Sequence, residues 1–418
     1  MTDMDETPGH AGFWHFFMAR TVSILGDRFN ELVIPILVLD RTGSAVLAGL
    51  AGAANRLPAL LMALWIGAFV DRSPKRRLMI VADGGRALAL TALALSLAVD
   101  DLAIPLLIAV AFAVGIGDLL FLTAAGPFLV GLVGRRHLLV ANGRLEAADA
   151  AATLTGPALG AFILQSLGAA VAIAANAASF VVSGLLLLTI RHHEPADRNV
   201  AKPAMRRVDV LMGVRMLWAI PPQRLLQAVL VTLSFQSGGI VLLVVALTRD
   251  VLALSAFAIG IVLTGAGLGG LVTSLLVAPR LGNRRWGPVL AALLVIMAVA
   301  MAGLTLARDA PTAFFANAAL DGAVALAFVV AGATRQSLTP DALLGRVGAA
   351  SFLLNTAAAT VGVLAAGSLI NLLGHREALA IFGALFAPIA VGVFTAPATR
   401  TRIADLQPVH LPPNDAVR

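Results

Sequence analysis

Cysteine is absent from this chain of 418 residues, which excludes disulfides, zinc-thiolate sites and a thiol nucleophile. Charge is scarce too: Asp, Glu, Lys and Arg make up 13% of the residues, against about 25% in soluble domains. There is no Gly-Lys-Ser/Thr phosphate loop, so the chain has no evident means of hydrolysing ATP. The stretch Gly265-Ala-Gly267-Leu-Gly-Gly270 fits a dinucleotide fingerprint formally, but no strand precedes it, and it reads as helix packing. The histidines, His10, His15, His137, His192, His193, His375 and His410, fall at span ends or in loops without metal-ligand spacing on one helix. No metal, cofactor or enzymatic constellation is therefore expected.

What remains is apolar. The chain is 59% hydrophobic with a mean hydropathy of +0.92. About 20 apolar residues in a helix cross a hydrocarbon core about 30 Å thick, and only helices or closed barrels satisfy their backbone groups there. The apolar runs are too long for barrel strands, so the fold expected is an all-α membrane protein with twelve spans: 14–40, 44–70, 77–99, 103–133, 144–167, 169–190, 223–248, 254–279, 286–307, 312–338, 344–373 and 376–397. The polar linker 191–222 separates a six-helix bundle, 14–190, from a second, 223–397, and 398–418 forms a tail. A surface helix from Val208 to Trp218 in the linker would lay Met212, Met216 and Leu217 on the membrane interface.

The net charge of +7 could suggest nucleic acid, but the basic residues cluster in alternate short loops. Arg72, Lys75, Arg76, Arg77, Arg135, Arg136, the linker, Arg280, Arg284, Arg285, Arg400 and Arg402 fall on one side, which is expected to be cytoplasmic. Both termini then lie in the cytoplasm, the partners are the bilayer and a small molecule, and no nucleic acid is expected. The polar, acidic stretch Met1 to His10 has no basic n-region or cleavage site, so no removable signal peptide is read.

The loop Gly67-Ala-Phe-Val-Asp71-Arg72-Ser-Pro-Lys75-Arg76-Arg77 resembles the signature loop of the major facilitator superfamily, with Pro74 where glycine is usual. The halves also echo one another: Gly143-Arg144 and Gly345-Arg346 open spans five and eleven and are followed at equal spacing by Gly160 and Gly362. Pro279-Arg-Leu-Gly-Asn-Arg-Arg285 looks like a worn copy of the first loop. The resemblance implies two pseudo-symmetric bundles and a cytoplasmic gate built on Gly67, Asp71, Arg72, Arg76 and Arg77. In it Asp71 meets the amino end of span eleven near Leu344 to Arg346, and the neighbouring arginines pair with acids on adjacent helices. In span five, Gly156, Pro157 and Gly160 are similar to the family's antiporter motif, with Ala161 replacing its last glycine, and point to export. The family's arginine in span four is missing: Phe112 to Thr123 offers Gly115, Gly117 and Asp118 but no basic residue.

Ionisable groups inside the membrane cost several kcal/mol unless paired or facing water. Asp27, Arg28 and Glu31 in span one, Arg56 in span two, Asp118 in span four, and Asp321 and Arg335 in span ten are the candidate proton-coupling or cavity residues. Asp83 with Arg86, and Arg144 with Glu146 and Asp149, read as structural groups nearer the surface. A turn near Arg41 and Thr42 would bring Asp27 and Arg56 to one depth, where they pair. Asp118 is then the carboxylate in excess. The pattern, including Gly26-Asp27-Arg28, resembles the macrolide-efflux and enterobactin-exporter branch, which implies proton-driven export of a drug or amphipathic natural product, with a proton gradient in place of a cofactor and the protein acting as a monomer. An uptake carrier for a small polar solute, or a non-transporting membrane receptor or assembly protein, are the alternatives.

Overall fold

The computed structural model describes residues 10–99, 103–190, 207–277, 280–281, 284–340 and 343–402. They form α1 (His10–Thr42), α2 (Ala45–Asp71), α3 (Lys75–Ala98), α4 (Ile104–Leu167), α5 (Ala169–Thr189), α6 (Arg207–Ala219), α7 (Pro221–Ala246), α8 (Ala256–Val272), α9 (Trp286–Leu306), α10 (Ala310–Leu338), α11 (Leu344–Leu373), α12 (His375–Ala384) and α13 (Phe386–Thr395). No strand occurs among the described residues. Helix α4 doubles back at Gly134, φ 71°, into Ile104–Gly134 and Val140–Leu167, so the second arm starts four residues before the expected 144. A π-helical turn extends α7 to Val251, and α12 and α13 make one crossing, His375–Thr395.

Among the described residues, eleven segments are long and apolar enough to span a bilayer. Helix α1 is the twelfth by length: its 33 residues rise about 50 Å, but Arg20, Asp27, Arg28 and Glu31 dilute its hydropathy. Glycines at φ +63°, +85° and +104° (Gly43, Gly168 and Gly374) end α1, α4 and α11 on one face of the molecule. That is the left-handed conformation that closes a helix and that a side chain would strain. The opposite face carries the α2–α3 loop and α6.

The halves meet where α2 packs on α11 and the second arm of α4 on α8. Lipid gives packed helices no hydrophobic drive, so close contact of small residues must hold them. A Cβ on Gly49 would lie 2.7 Å from the Val363 carbonyl, one on Gly260 2.7 Å from the Pro157 carbonyl, and one on Gly267 2.7 Å from Leu154 Cα. The glycine run of α8 is thus a packing surface, with Gly265 and Gly269 turned to Phe314 and Ala318 of α10. Polar ties across the halves lie on the Gly43 face. Arg249 Nε donates to Asp40 Oδ1 at 2.8 Å, the Phe257 amide to Gln165 Oε1 at 2.9 Å, and the Ala45 amide to Asn371 Oδ1 at 3.2 Å. Arg249 also pairs with Asp250, which His375 approaches at 3.0 Å.

The linker helix α6 does not lay Met216 and Leu217 on the membrane interface as expected. Met216 and Leu217 are buried against Leu343, Val347 and Ala350 at the start of α11, which removes their apolar surface from water without recourse to lipid. The side chain of Met212 lies outside the described residues.

Candidate functional site

A cavity of about 630 Å³ lies between the halves, lined by both. Ile240, Val241 and Leu242 of α7 and Leu263 and Ala266 of α8 form apolar wall, while nearly all the charge comes from α1 to α4.

Arg86 of α3, which lines the cavity, is only 1% exposed. It pairs with Asp83 one turn earlier, and its Nη1 donates to Asp118 Oδ1 at 2.8 Å. Its Cζ stands 4.0 Å from the Phe180 ring centroid and 5.0 Å from that of Phe121, so two aromatic faces complete the surroundings of the cation. Ser183 Oγ donates to Asp83 Oδ2 at 2.7 Å, and Asn55 Nδ2 to Asp118 Oδ2 at 3.3 Å. Gly117, one residue before Asp118, leaves the volume that the Arg86 stem fills. The cation missing from Phe112 to Thr123 is therefore supplied by α3. Asp118, expected to be unpaired, is bonded on both oxygens.

A second group surrounds Arg28. Its Nη1 donates to Glu31 Oε1 at 2.7 Å, and its Nη2 to Asp149 at 3.2 Å and 3.3 Å. Gly156 packs directly on Arg28 Cβ and Gly160 on Phe29, while the Pro157 carbonyl meets Gly260, so the motif of span five holds α1 on one side and α8 on the other. Pro157 itself lines the cavity. Arg56 donates to the Gly52 carbonyl at 3.3 Å and faces Glu31, not Asp27. The expected Asp27–Arg56 pair does not form because the turn centres on Gly43 and Ser44. Glu31 stands twelve residues before Gly43 (43 − 31) and Arg56 twelve after Ser44 (56 − 44), so these two share a depth. Asp27 instead faces Arg20, Arg86, Asp118 and Glu31, and has no hydrogen bond among the described residues. Arg20 lies over the Phe121 ring at 5.4 Å.

Asp321 of α10 lines the cavity from the other half, with Arg28 and Glu31 as the charges that face it. Arg335 does not line this cavity. It lies in the last turn of α10, where its carbonyl accepts from Gln223 Nε2 at 3.2 Å and its Nε and Nη1 are buried without a hydrogen-bond partner. Among the gate residues, Gly67 faces open space, and Arg72 and Arg77 are exposed. Arg76 donates to the Leu187 and Leu188 carbonyls at 2.8 Å and 2.6 Å, where it caps the end of α5. The Asp71 side chain lies outside the described residues, and the amino end of α11 packs on Gly213 of α6. Among the described residues, no three His, Asp or Glu side chains converge to hold a metal.

Sequence reasoning missed Arg20, set Asp83 and Arg86 too near the surface, and did not expect Arg86 and Asp149 in the cavity lining. The signal was available for two of them: Asp83 and Arg86 are eight and eleven residues past Lys75, roughly 12 and 16 Å into the bilayer, one turn apart on one face.

The Major Facilitator Superfamily profile matches residues 16–347. A multidrug efflux pump, Tap, of Mycolicibacterium fortuitum is 29% identical over 211 residues, 49% of this chain and 51% of the pump. The chain thus spans about half the length of the curated relatives it matches. Among solved structures, a bacterial homolog of the human lysosomal transporter Spinster has a TM-score of 0.72 at 15% identity, covering 94% of this chain and 98% of that one. The nucleoside transporter NupG has a TM-score of 0.72 at 12% identity, covering 91% and 98%. These likenesses are of fold.

Removing Arg86 should strand Asp83 in the core. Arg86→Met is expected to destabilise the protein by about 3–5 kcal/mol, and Arg86→Met with Asp83→Asn by clearly less than the sum of the single losses. Thermal unfolding in detergent measures both, and additive losses would contradict the pairing.

Proposed function

The chain belongs to the major facilitator superfamily, and from that premise we propose that it is a proton-driven exporter of drugs or amphipathic natural products of macrolide or siderophore type. The observation that carries the reading is the cavity between the halves, about 630 Å³, lined by apolar residues of both halves and by charged groups concentrated on α1 to α4. Pockets of roughly 300–1,000 Å³ suit drug-sized molecules. The relatives named as multidrug efflux pumps and the Gly156, Pro157 and Gly160 motif support export over uptake. The halves, joined by small-residue seams and by Asp40–Arg249 on the Gly43 face, rock so that the cavity opens to one side at a time, and the protein acts as a monomer in the cell membrane.

Charge counting supports a proton as the driving ion. The first-half network holds four arginines, Arg20, Arg28, Arg56 and Arg86, against five acids, Asp27, Glu31, Asp83, Asp118 and Asp149. Four of the acids accept hydrogen bonds from Arg28, Arg86, Asn55 or Ser183; Asp27 accepts none. Asp27 is therefore the proton carrier in this reading, in place of Asp118 or Glu31. One proton there balances the network, and its release restores the negative charge.

In proteoliposomes, Asp27→Asn should reduce pH-gradient-driven drug export at least about tenfold while substrate exchange without a gradient persists. Driven export at the wild-type rate would remove Asp27 from the mechanism, and no export of any amphipathic compound would remove the reading itself. The basic loops put the α2–α3 loop in the cytoplasm. A membrane-impermeant thiol reagent on intact cells should accordingly label Ala310→Cys but not Ser73→Cys, and the reverse pattern would invert the topology.

A further inference from the structure

The export reading leaves one charged group of the cavity without a task. Asp321 is the acid that the second half contributes to the lining. It makes no hydrogen bond or ion pair among the described residues. Arg28 faces it, but the two ends of that guanidinium are already held by Glu31 at 2.7 Å and Asp149 at 3.2 Å in the first half. With the Asp27 proton in place, the four lining arginines, Arg20, Arg28, Arg56 and Arg86, are matched by Glu31, Asp83, Asp118 and Asp149 of the first half, so the charge of Asp321 has no counterpart in the wall.

The surroundings of Asp321 define what could complement it. Helix α8 passes it at Gly270, whose missing side chain would have stood 3.6 Å from Asp321 Oδ2, so the carboxylate faces space and not a neighbouring stem. Other lining residues of the second half, Ile240, Val241, Leu242, Leu263 and Ala266 with Gly238 and Ser237, are mostly aliphatic and carry no charge. A neutral or anionic guest would leave the carboxylate uncompensated in a medium of low dielectric. A guest with one delocalised positive charge and an apolar body would satisfy both.

We infer that Asp321 is the specificity residue for substrates, and that those substrates are amphipathic monocations whose charge rests on this carboxylate while their apolar part lies on α7 and α8. The inference rests on the export reading and deepens it. Asp27 serves the proton and Asp321 the substrate, each in its own half, so the two events are tied only by the movement of the halves.

The test is binding to the purified full chain by equilibrium dialysis, with tetraphenylphosphonium as the cation and triphenylphosphine oxide as its neutral comparator. The wild type should prefer the cation. Asp321→Asn, which changes one atom of the side chain, should weaken cation binding at least about tenfold and leave the neutral compound bound as before. Asp321→Glu should keep the preference. Equal affinity of the wild type for the two compounds overturns the inference, even if Asp321→Asn does not fold. A folded Asp321→Asn protein that retains the preference also overturns it. Driven export of cations undiminished by Asp321→Asn would leave the exporter reading standing and sink this one; Asp321-dependent cation binding without any export would do the reverse.

Discussion

A guanidinium buried in a membrane is the constraint around which the first half is built. Arg86 at 1% exposure survives there because Asp83 and Asp118 neutralise it and the Phe121 and Phe180 rings cover it. These partners come from α3, α4 and α5, and Ser183 of α5 also holds Asp83, so the three helices cannot shift independently without stranding a charge. Glycine makes the arrangement possible. Gly117 admits the Arg86 stem, Gly115 lets α4 touch the Asn55 backbone, and Gly156 admits Arg28. What looks in the sequence like generic small-residue content is, at these positions, the volume that charged side chains occupy.

Between the halves the forces differ in kind. Gly49, Gly260 and Gly267 bring helix backbones together, and few directional bonds cross the seam apart from Asp40–Arg249, Gln165–Phe257 and Ala45–Asn371. Ion pairs exposed like Asp40–Arg249 contribute roughly 0–1 kcal/mol each. The result is one half internally locked by charge and an interface held by weak, separable contacts. That contrast suits a device whose halves move as units.

The helices and their number could be read from apolar run length, because lipid imposes a minimum length on every span. Pairings could not, because run length gives depth but not rotation. Moving one turn by two residues, from Arg41 and Thr42 to Gly43 and Ser44, exchanged Asp27 for Glu31 as the group level with Arg56. Asp83, Arg86 and Asp149 were discounted for nearness to a loop, although α3 carries the first two well inside the bilayer. Arg335 was included for being charged in a span, but its position in the last turn of α10 keeps it out of the cavity. Ser183 and Phe180 are unremarkable in sequence, and only the fold brings them to Asp83 and Arg86.

The central claim is that two rigid halves exchange access to one charged cavity. Since the chain has no cysteine, spin labels can be introduced without background. One pair, Val46→Cys with Leu372→Cys, reports the Gly43 face, and a second, Ser73→Cys with Gly345→Cys, reports the opposite face. Pulsed electron paramagnetic resonance distances, taken at acid and alkaline pH, should change in opposite directions at the two faces. Distances that stay fixed at both, or move together, would contradict alternating access in this protein.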